Sequence, residues 1–170
     1  MNFSETSRLK LIALSAEEIR MYIACDFSFE NHFGLMNHPR EMDPNVRQKL
    51  QDVIIPKMES DPNNVLFYTL WIAIDKTINT AVAGIVFKGP PNENGEVELG
   101  AGTFAGFMNR GYMTETTKLL CEWALKNGVG KIVANCSPEN VASQRTLEKS
   151  GFQITQKLDQ NWIWQYVHRV

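Results

Sequence analysis

The segment from Met108 to Thr114 has the composition of a turn that could bind a phosphate group. Gly111 lies between a strand-like run and a long helical run that begins near Thr114. The first N–H groups of a helix have no partner inside the helix and lie at the positive end of its dipole, which suits an anion. Thr114 could cap this helix, donate its hydroxyl to a phosphate, or do both. An ordinary loop-to-helix turn has the same pattern, so the segment is not decisive alone.

A second signature follows about one helix and one strand later, from Ser137 to Ser143. It contains Asn140 and Ser143, and Leu147 follows in the same helical run. These three residues are spaced i, i+3 and i+7, so they share one face of the predicted helix. An amide and a hydroxyl on one face could contact a bound cofactor, although Ser143 could also pack simply as a small residue.

Composition excludes several classes of protein. A chain of 170 residues with 44% hydrophobic and 21% charged residues predicts one globular domain over residues 1–170. The net charge of -2 gives no support to nucleic-acid or anionic-membrane binding. No apolar run approaches the roughly 20 residues of a membrane span, and the N-terminus shows no signal peptide, so we expect a cytoplasmic protein. The 3 Cys and 3 His are scattered, which predicts neither a disulfide framework nor a metal site.

The hydrophobic pattern predicts a mixed α/β domain in the order β-α-α-β-β-β-α-β-α-β-β. The first signature lies just before a predicted helix, which is the position that anion binding requires, and the second spans the start of another helix. We read 26–43 as short helical or irregular structure. We predict strands at 8–14, 67–75, 80–88, 96–104, 131–136, 152–158 and 162–167. We predict helices at 15–24, 44–56, 114–126 and 138–150. In the last helix, Ser137 is the predicted N-cap and Pro138 the first helical residue.

Four short motifs together resemble the GNAT superfamily of acyl-CoA-dependent N-acetyltransferases, and most of all its branch of ribosomal-protein alanine N-acetyltransferases. Each motif lies on the element where that superfamily has it. The resemblance is strong over residues 80–155 and weaker before them. The motifs are Glu98-Leu99-Gly100, Gly111-Tyr112-Met113-Thr114-Glu115, Asn140-Val141-Ala142-Ser143 and Leu147-Glu148-Lys149-Ser150-Gly151-Phe152.

The resemblance implies a single-domain fold with a mixed, mostly antiparallel sheet of six to seven strands flanked by helices. It also implies that the fourth and fifth strands, 96–104 and 131–136, splay apart. The pantetheine arm of a bound CoA would lie in this gap and hydrogen-bond to Gly102, Thr103 and Phe104. Gly100 and Gly102 suit such a close backbone approach, although a β-bulge explains them equally well.

Acetyl-CoA is the co-substrate that the resemblance implies, with no metal. The pyrophosphate loop of the superfamily usually reads Gln/Arg-x-x-Gly-x-Gly/Ala, and this chain departs from it at the first and last positions. We expect binding to survive because such a loop holds phosphate mainly through backbone N–H groups, and Arg110 could add a compensating charge. The expected CoA contacts, beyond the strand, are Met108, Asn109, Arg110, Gly111, Tyr112, Met113, Thr114, Asn140 and Ser143.

The implied reaction is direct transfer of the acetyl group to an amine, which must lose a proton to attack. Glu98 is the candidate general base, acting directly or through a water, although it could equally be a solvent-facing or salt-bridged strand residue. Glu96 shares its strand face and could substitute for it. Many superfamily members use a tyrosine acid where this chain has Leu147, so Ser143 is the candidate partner of the leaving thiolate. Cys136 as an acetylated nucleophile is disfavoured because free cysteine is commonly a small buried residue.

Three questions stay open at this level. The chain could be a catalytically silent CoA-binding or regulatory domain, a rival that the absent tyrosine motivates. The acceptor could be a protein N-terminus, a polyamine or an antibiotic amine, and a homodimer is also compatible with the family. Several aromatic residues could line an acceptor pocket, although core packing is the commoner fate of such residues: Phe27, Phe29, Phe33, Trp162 and Trp164.

Overall fold

The computed structural model describes residues 3–168, which form one eight-stranded sheet with helices on both faces. The strand order across the sheet is β1-β2-β3-β4-β5-β6-β8-β7. Only β5 and β6 run parallel, and every other neighbouring pair is antiparallel. The strands are β1 (Phe3–Glu5), β2 (Leu9–Ala13), β3 (Leu70–Asp75), β4 (Thr80–Phe87), β5 (Glu96–Thr103), β6 (Lys131–Cys136), β7 (Phe152–Lys157) and β8 (Trp162–Tyr166).

The helices lie in two groups that flank this sheet. A set of short helices follows β2, whereas two longer helices flank β6 in sequence. The parallel step from β5 to β6 requires a crossover, and the longest helix provides it. The helices are α1 (Ala16–Ala24), α2 (Ser28–Phe33), α3 (Pro44–Lys49), α4 (Ile55–Ser60), α5 (Val65–Tyr68), α6 (Tyr112–Lys126) and α7 (Val141–Ser150).

The mixed, mostly antiparallel sheet confirms the predicted fold class. The structure has one strand more than the seven in the predicted order, because Phe3–Glu5 pairs with β2 in the register Ser4↔Leu11. Three residues are too few to show a period of two, so the pattern could not reveal β1. The predicted fourth and fifth strands are therefore β5 and β6 of the structure.

Two helix starts were predicted correctly, one from Ser15 as a cap and one from Pro44 as the first helical residue. Ser15 caps α1 in a capping box, in which its side chain accepts from the Glu18 N–H and the Glu18 side chain accepts from the Ser15 N–H. Asp43 caps α3, and Pro44 occupies the first helical position, where its missing N–H costs nothing. Local chemistry is sufficient to set both boundaries.

Two other helix starts were predicted wrongly. The last helix begins at Val141 with Asn140 as its N-cap, and not at Pro138 behind Ser137. The reason is that the Asn140 carboxamide oxygen accepts from the Ser143 N–H, so it competes successfully with the serine three residues earlier. The crossover helix begins at Tyr112 behind a left-handed Gly111, so Thr114 lies inside the helix and does not cap it.

The segment between β2 and β3 is more broken than its pattern indicates. The helix predicted from Pro44 to Pro56 instead continues to Ser60, through a π-helical turn over Leu50–Ile54. In that turn the Ile55 N–H donates to the Leu50 carbonyl, five residues back. The strand predicted from Phe67 starts only at Leu70, because Val65–Tyr68 closes one more helical turn.

The sheet separates two hydrophobic cores. On one face, α6 packs on β2–β5, with Leu120 and Ala124 fully buried beside Phe87 and Leu99. On the other face, α1, the π-helical turn and α4 pack on Ile12, Ile72 and their neighbours. The gap between β5 and β6 is therefore accessible from two differently built sides.

Candidate active site

Strands β5 and β6 separate part of the way along their length. Their pairing begins at Glu96↔Lys131 and ends at Leu99↔Ala134. Beyond that point β5 remains paired with β4 as far as Thr103, whereas β6 remains paired with β8 as far as Cys136. The two strands thus diverge into the splay that was predicted, with one open backbone edge along β5.

The open edge of β5 belongs to Ala101 and Thr103. The Lys88 N–H donates to the Glu98 carbonyl and the Phe104 N–H donates to the Val82 carbonyl, so even-numbered residues direct their backbone groups toward β4. Because the direction alternates along a strand, Ala101 and Thr103 direct theirs into the gap. Of the three residues expected to pair with a pantetheine arm, Thr103 keeps that orientation, and Gly102 and Phe104 do not.

The loop before α6 has the backbone shape of an anion site. Asn109 and Gly111 both have positive φ, of 61° and 75°, and Gly111 is the N-cap of the fifteen-residue helix. The first intrahelical bond is donated by the Glu115 N–H to the Gly111 carbonyl. The N–H groups of Tyr112, Met113 and Thr114 therefore lie at the open, positive end of the helix.

Arg8, on the strand side of this loop, holds the loop in place. Its guanidinium donates through Nη1 to the Arg110 carbonyl at 3.1 Å and through Nη2 to Glu115 at 2.7 Å. The same group lies 4.6 Å above the ring of Tyr112. Arg8 thus contacts the loop, the first turn of the helix and the residue that joins them, and sequence reasoning did not assign it this role.

Tyr112 is buried, so its side chain is unavailable to a ligand, whereas its N–H remains at the helix end. Its hydroxyl donates to Asp75 Oδ2 at 2.8 Å. Burial alone would raise the pKa of Asp75, but the bonds from Tyr112 and from the Ile78 and Thr77 N–H groups, with the charge of Arg8, outweigh it and lower this pKa. Burial and the Asp75 carboxylate raise the pKa of Tyr112.

Glu98 lies next to the splay with two side-chain partners. Lys88, directly after β4, forms an ion pair with Glu98 Oε1, and the Asn135 amide on β6 donates to the same oxygen at 2.6 Å. Val97 and Leu99 are buried against α6, so Glu98 points to the opposite face of the sheet. The side chain is 27% exposed, which leaves room for a substrate or a water.

The residues of the second signature lie on the α6 side. The Asn140 side chain caps α7, and Leu147 is buried in the core beneath it. The Ser143 hydroxyl is partly exposed and forms no hydrogen bond within residues 3–168. Cys136 is also buried, with its thiol directed to the carbonyls of Ser137 and Asn140, as a structural cysteine would be.

A cavity of about 430 Å³ lies on the Glu98 side of the sheet. Its floor is formed by β4 and β5, including Gly84, Gly100 and Gly102, and its far wall by residues of α3, the π-helical turn and α4. None of the five aromatic residues considered for an acceptor pocket lines it; Phe29 and Trp164 are buried elsewhere. Its aromatic lining comes instead from Tyr22, Phe87 and Phe104.

Two classes of site have no support in the part of the chain that the structure describes. Over residues 3–168, no three side chains of His, Cys, Asp or Glu form a group that could hold a metal ion. None of the helices in this range has both the length and the apolar composition needed to cross a membrane.

The structure brings some of the predicted residues together and divides others. The loop residues 108–114 cluster at one helix end, and Glu98 and Ser143 lie on opposite sides of the sheet. Lys88, Asn135 and Ala101 were missed. The alternation along 96–104 could have indicated Ala101 once the buried face was known, whereas the other two depend on strand register.

Comparison with known proteins connects this geometry to a family. The domain family described as acetyltransferase (GNAT) matches residues 8–153. An uncharacterized N-acetyltransferase of Bacillus subtilis (strain 168), YjdG, is 37% identical over 106 residues, which span 62% of this chain and 63% of the relative's own length.

Solved structures share the whole fold at low identity. A GNAT-family acetyltransferase from Bacillus anthracis aligns with a TM-score of 0.65 at 17% identity and covers 98% of each chain. A ribosomal-protein-S5-alanine acetyltransferase from Vibrio fischeri aligns at 0.64 and 13%, covering 97% of this chain and 95% of its own. The ribosomal L7/L12 α-N-protein acetyltransferase RimL, in complex with coenzyme A, aligns at 0.67 and 13% over 98% of both chains.

Proposed function

Since the chain belongs to the GNAT acetyltransferase family, we propose that it transfers the acetyl group of acetyl-CoA to a primary amine by direct attack in a ternary complex. The observation that carries this proposal is the splay between β5 and β6, with an anion-binding helix end beside it. The splay suits the extended pantetheine arm of CoA, and the helix end suits its pyrophosphate. These two groups follow one another in the CoA molecule.

The donor would be held mainly by backbone. The helix-end N–H groups of Tyr112, Met113 and Thr114 would donate hydrogen bonds to the pyrophosphate. The open edge at Ala101 and Thr103 would pair with the pantetheine amides. Met108 is 61% exposed and offers no charge, so this site depends on backbone geometry more than on side-chain identity.

Glu98 and Ser143 would assist different parts of the reaction from opposite sides of the sheet. The amine nitrogen forms a bond to the acetyl carbon, and the bond from that carbon to the CoA sulfur breaks. The proton lost by the amine passes to Glu98, directly or through a water, and the departing thiolate accepts a hydrogen bond from the Ser143 hydroxyl. Lys88 and Asn135 hold the carboxylate of Glu98 in place between the strands.

A matched pair of variants tests the base. Acetyl-CoA and a panel of amines and N-terminal peptides are supplied, and thiol release is followed. We expect Glu98→Gln to lower kcat by about 100-fold or more, because general-base catalysis contributes about that much. Glu96→Gln is the control, since Glu96 lies two residues away on the same strand face and pairs with Lys131 instead. Equal loss in the two variants would contradict the role of Glu98.

The rival function is a CoA-binding domain without catalysis. Two observations favour it: Leu147 provides no acid, and the Glu98 carboxylate already has Lys88 as an ion-pair partner. Tight binding of CoA by calorimetry, without thiol release across the whole amine panel, would establish this rival and overturn the enzymatic proposal. Turnover with any one acceptor that depends on Glu98 would exclude it.

A further inference from the structure

The cavity beside Glu98 owes its shape to missing side chains. Gly84 and Gly102 are directly paired across β4 and β5, and Gly100 is paired with Val86. All three lie on the floor of the cavity. A Cβ at Gly102 would meet no atom within 4 Å, so the space above this residue is open. The floor is therefore open above Gly102, beside the point where acetyl transfer would occur, whereas neighbouring side chains already lie over Gly84 and Gly100.

The other surfaces of the cavity are largely apolar. Leu70, Leu50 and Ile54 are buried in its walls, and Val46 and Val53 stand at 51% and 39% exposure on its helical side. Exposed aliphatic side chains that border a cavity gain by covering an apolar ligand. The body of a bound acceptor would therefore be apolar.

The charges around this cavity disfavour a second cation on the acceptor. Lys49 and Lys57 line the cavity, and neither forms an ion pair within the described range 3–168. The acidic residues of the lining are Glu41 and Asp43, and Asp43 keeps its charge while it caps α3, so together with the two lysines they give a remote ammonium no net negative charge to approach. Arg40 adds no free charge because it is paired with the buried Glu30. A polyamine would bring its remote ammonium against these apolar walls, where no net negative charge offsets the loss of its hydration.

We infer that the acceptor is a primary amine with an apolar body and no second positive charge, which sits on the glycine floor with its far end toward Lys49 and Lys57. This inference rests on the proposed acetyl transfer. It excludes polyamines, and it uses the cavity on the Glu98 side of the sheet, which Lys88, the partner of Glu98, lines. The reacting ammonium itself would approach Glu98, where a carboxylate is available.

Two amines of equal length test the inference. n-Hexylamine and 1,5-diaminopentane differ only in the remote end, which is a methyl group in one and an ammonium in the other. We expect kcat/KM for n-hexylamine to exceed that for the diamine by about tenfold at low salt, and this ratio to fall as salt is added. A diamine that is used as well as the monoamine would overturn the inference and leave acetyl transfer standing.

Variants of Lys49 and Lys57 test whether these lysines contribute to the preference for the monoamine over the diamine. The double variant Lys49→Gln/Lys57→Gln should bring the monoamine-to-diamine ratio down toward unity, mainly by improving use of the diamine. The control Lys126→Gln/Lys149→Gln removes the same charge from the last turns of α6 and α7, on the other side of the sheet, and should leave the ratio unchanged. An equal change in both variants would contradict the assignment.

A third variant tests the glycine floor independently of charge. Gly102→Val places its side chain in the open space above the strand, so we expect the KM for n-hexylamine to rise about tenfold or more while the KM for acetyl-CoA changes much less. An unchanged KM for the amine would contradict the placement of the acceptor. If acetyl-CoA is bound but neither amine nor any panel member is acetylated by the unmodified protein, the proposed function itself fails.

Discussion

At the scale of single residues, a buried polar pair supports the loop before α6. The Tyr112 hydroxyl donates to Asp75, whose other oxygen accepts from the N–H groups of Thr77 and Ile78 in the β3–β4 turn. Asp75 is 4% exposed, so its charge depends on these donors. The pair connects the end of β3 to the start of the crossover helix.

Stability should therefore depend on pH through Asp75. The pKa of Asp75 is lowered in the folded protein from its ordinary 3.8, so its carboxylate stabilises the fold above that pH and this contribution is lost as pH falls through the folded pKa. We expect Asp75→Asn to reduce the free energy of unfolding by about 1–3 kcal/mol at pH 7, with a smaller difference below about pH 4. Urea denaturation across this range measures it.

The exposed Asp52 on the π-helical turn provides the control for this measurement. Asp52→Asn should leave the unfolding free energy within about 0.5 kcal/mol of the unmodified protein. A loss in Asp75→Asn that stays constant from pH 7 to pH 3 would contradict a role for the charge and would indicate packing alone.

Arg8 should act on CoA binding without touching CoA. Arg8→Met removes the bonds to the Arg110 carbonyl and to Glu115, so we expect the KM for acetyl-CoA to rise about tenfold with a smaller change in kcat. Arg20→Met, which breaks a surface pair with Glu59, is the matched control and should leave both constants unchanged. A fall in kcat alone would contradict a positioning role.

Residue partners were the least predictable part of the site. Glu98 itself was found from a motif, yet Lys88 follows the end of β4, and Asn135, on β6, is 37 positions away. Their meeting depends on the register of β5 with β4 and β6. A sequence read along one chain does not contain that register, which is set by packing of distant segments.

At the scale of elements, helix starts that depend on one nearby capping residue were predicted correctly. Helix starts for which two side chains compete as the cap were not. Ser15 with Glu18 and Asp43 with Pro44 fixed their helix starts. At α7, Ser137 was the predicted cap, and the folded chain uses Asn140 instead. The difference decides which side chain is free to contact a ligand.

The two functions open to Asn140 can be separated by substitution. Asn140→Ala removes the cap and should cost about 1 kcal/mol of stability, whereas Asn140→Asp keeps an oxygen that can accept from the Ser143 N–H and should cost less. If the amide also donates to CoA, the aspartate variant stays stable and its KM for acetyl-CoA rises several-fold. A normal KM in a stable aspartate variant would limit Asn140 to capping.

At the scale of the whole molecule, the short β5–β6 pairing joins two antiparallel parts. Strands β1–β5 form one part and β6–β8 the other, and four residue pairs of β5 and β6 connect them in the sheet. A ligand seated in the splay would bridge the two parts. The sequence predicted this seam through its family resemblance, because the strand pattern alone is compatible with several strand orders.

Hydrogen exchange should detect the bridging. We expect CoA to slow amide exchange at Ala101 and Thr103 on the open edge of β5, and at the first residues of α6. The β2–β3 pair, which has no contact with the splay, provides an internal reference. Protection confined to α6, with unchanged exchange along β5, would contradict the placement of the pantetheine arm.

The adjacency of β2 and β3 has an evolutionary consequence. The segment 14–69 begins where β2 ends, at Ala13, and leads back to β3, which lies next to β2. Ala13 itself pairs with Trp71. The cost of closing such a loop grows only slowly with its length, so this stretch can lengthen or change while the strands keep their register. It supplies the helical wall of the cavity, whereas the proposed donor contacts all lie after residue 100. The residues that bind the acceptor can therefore change in evolution independently of those that bind acetyl-CoA. We expect that exchange of segment 14–69 between relatives transfers the preference for an acceptor and leaves the affinity for acetyl-CoA unchanged.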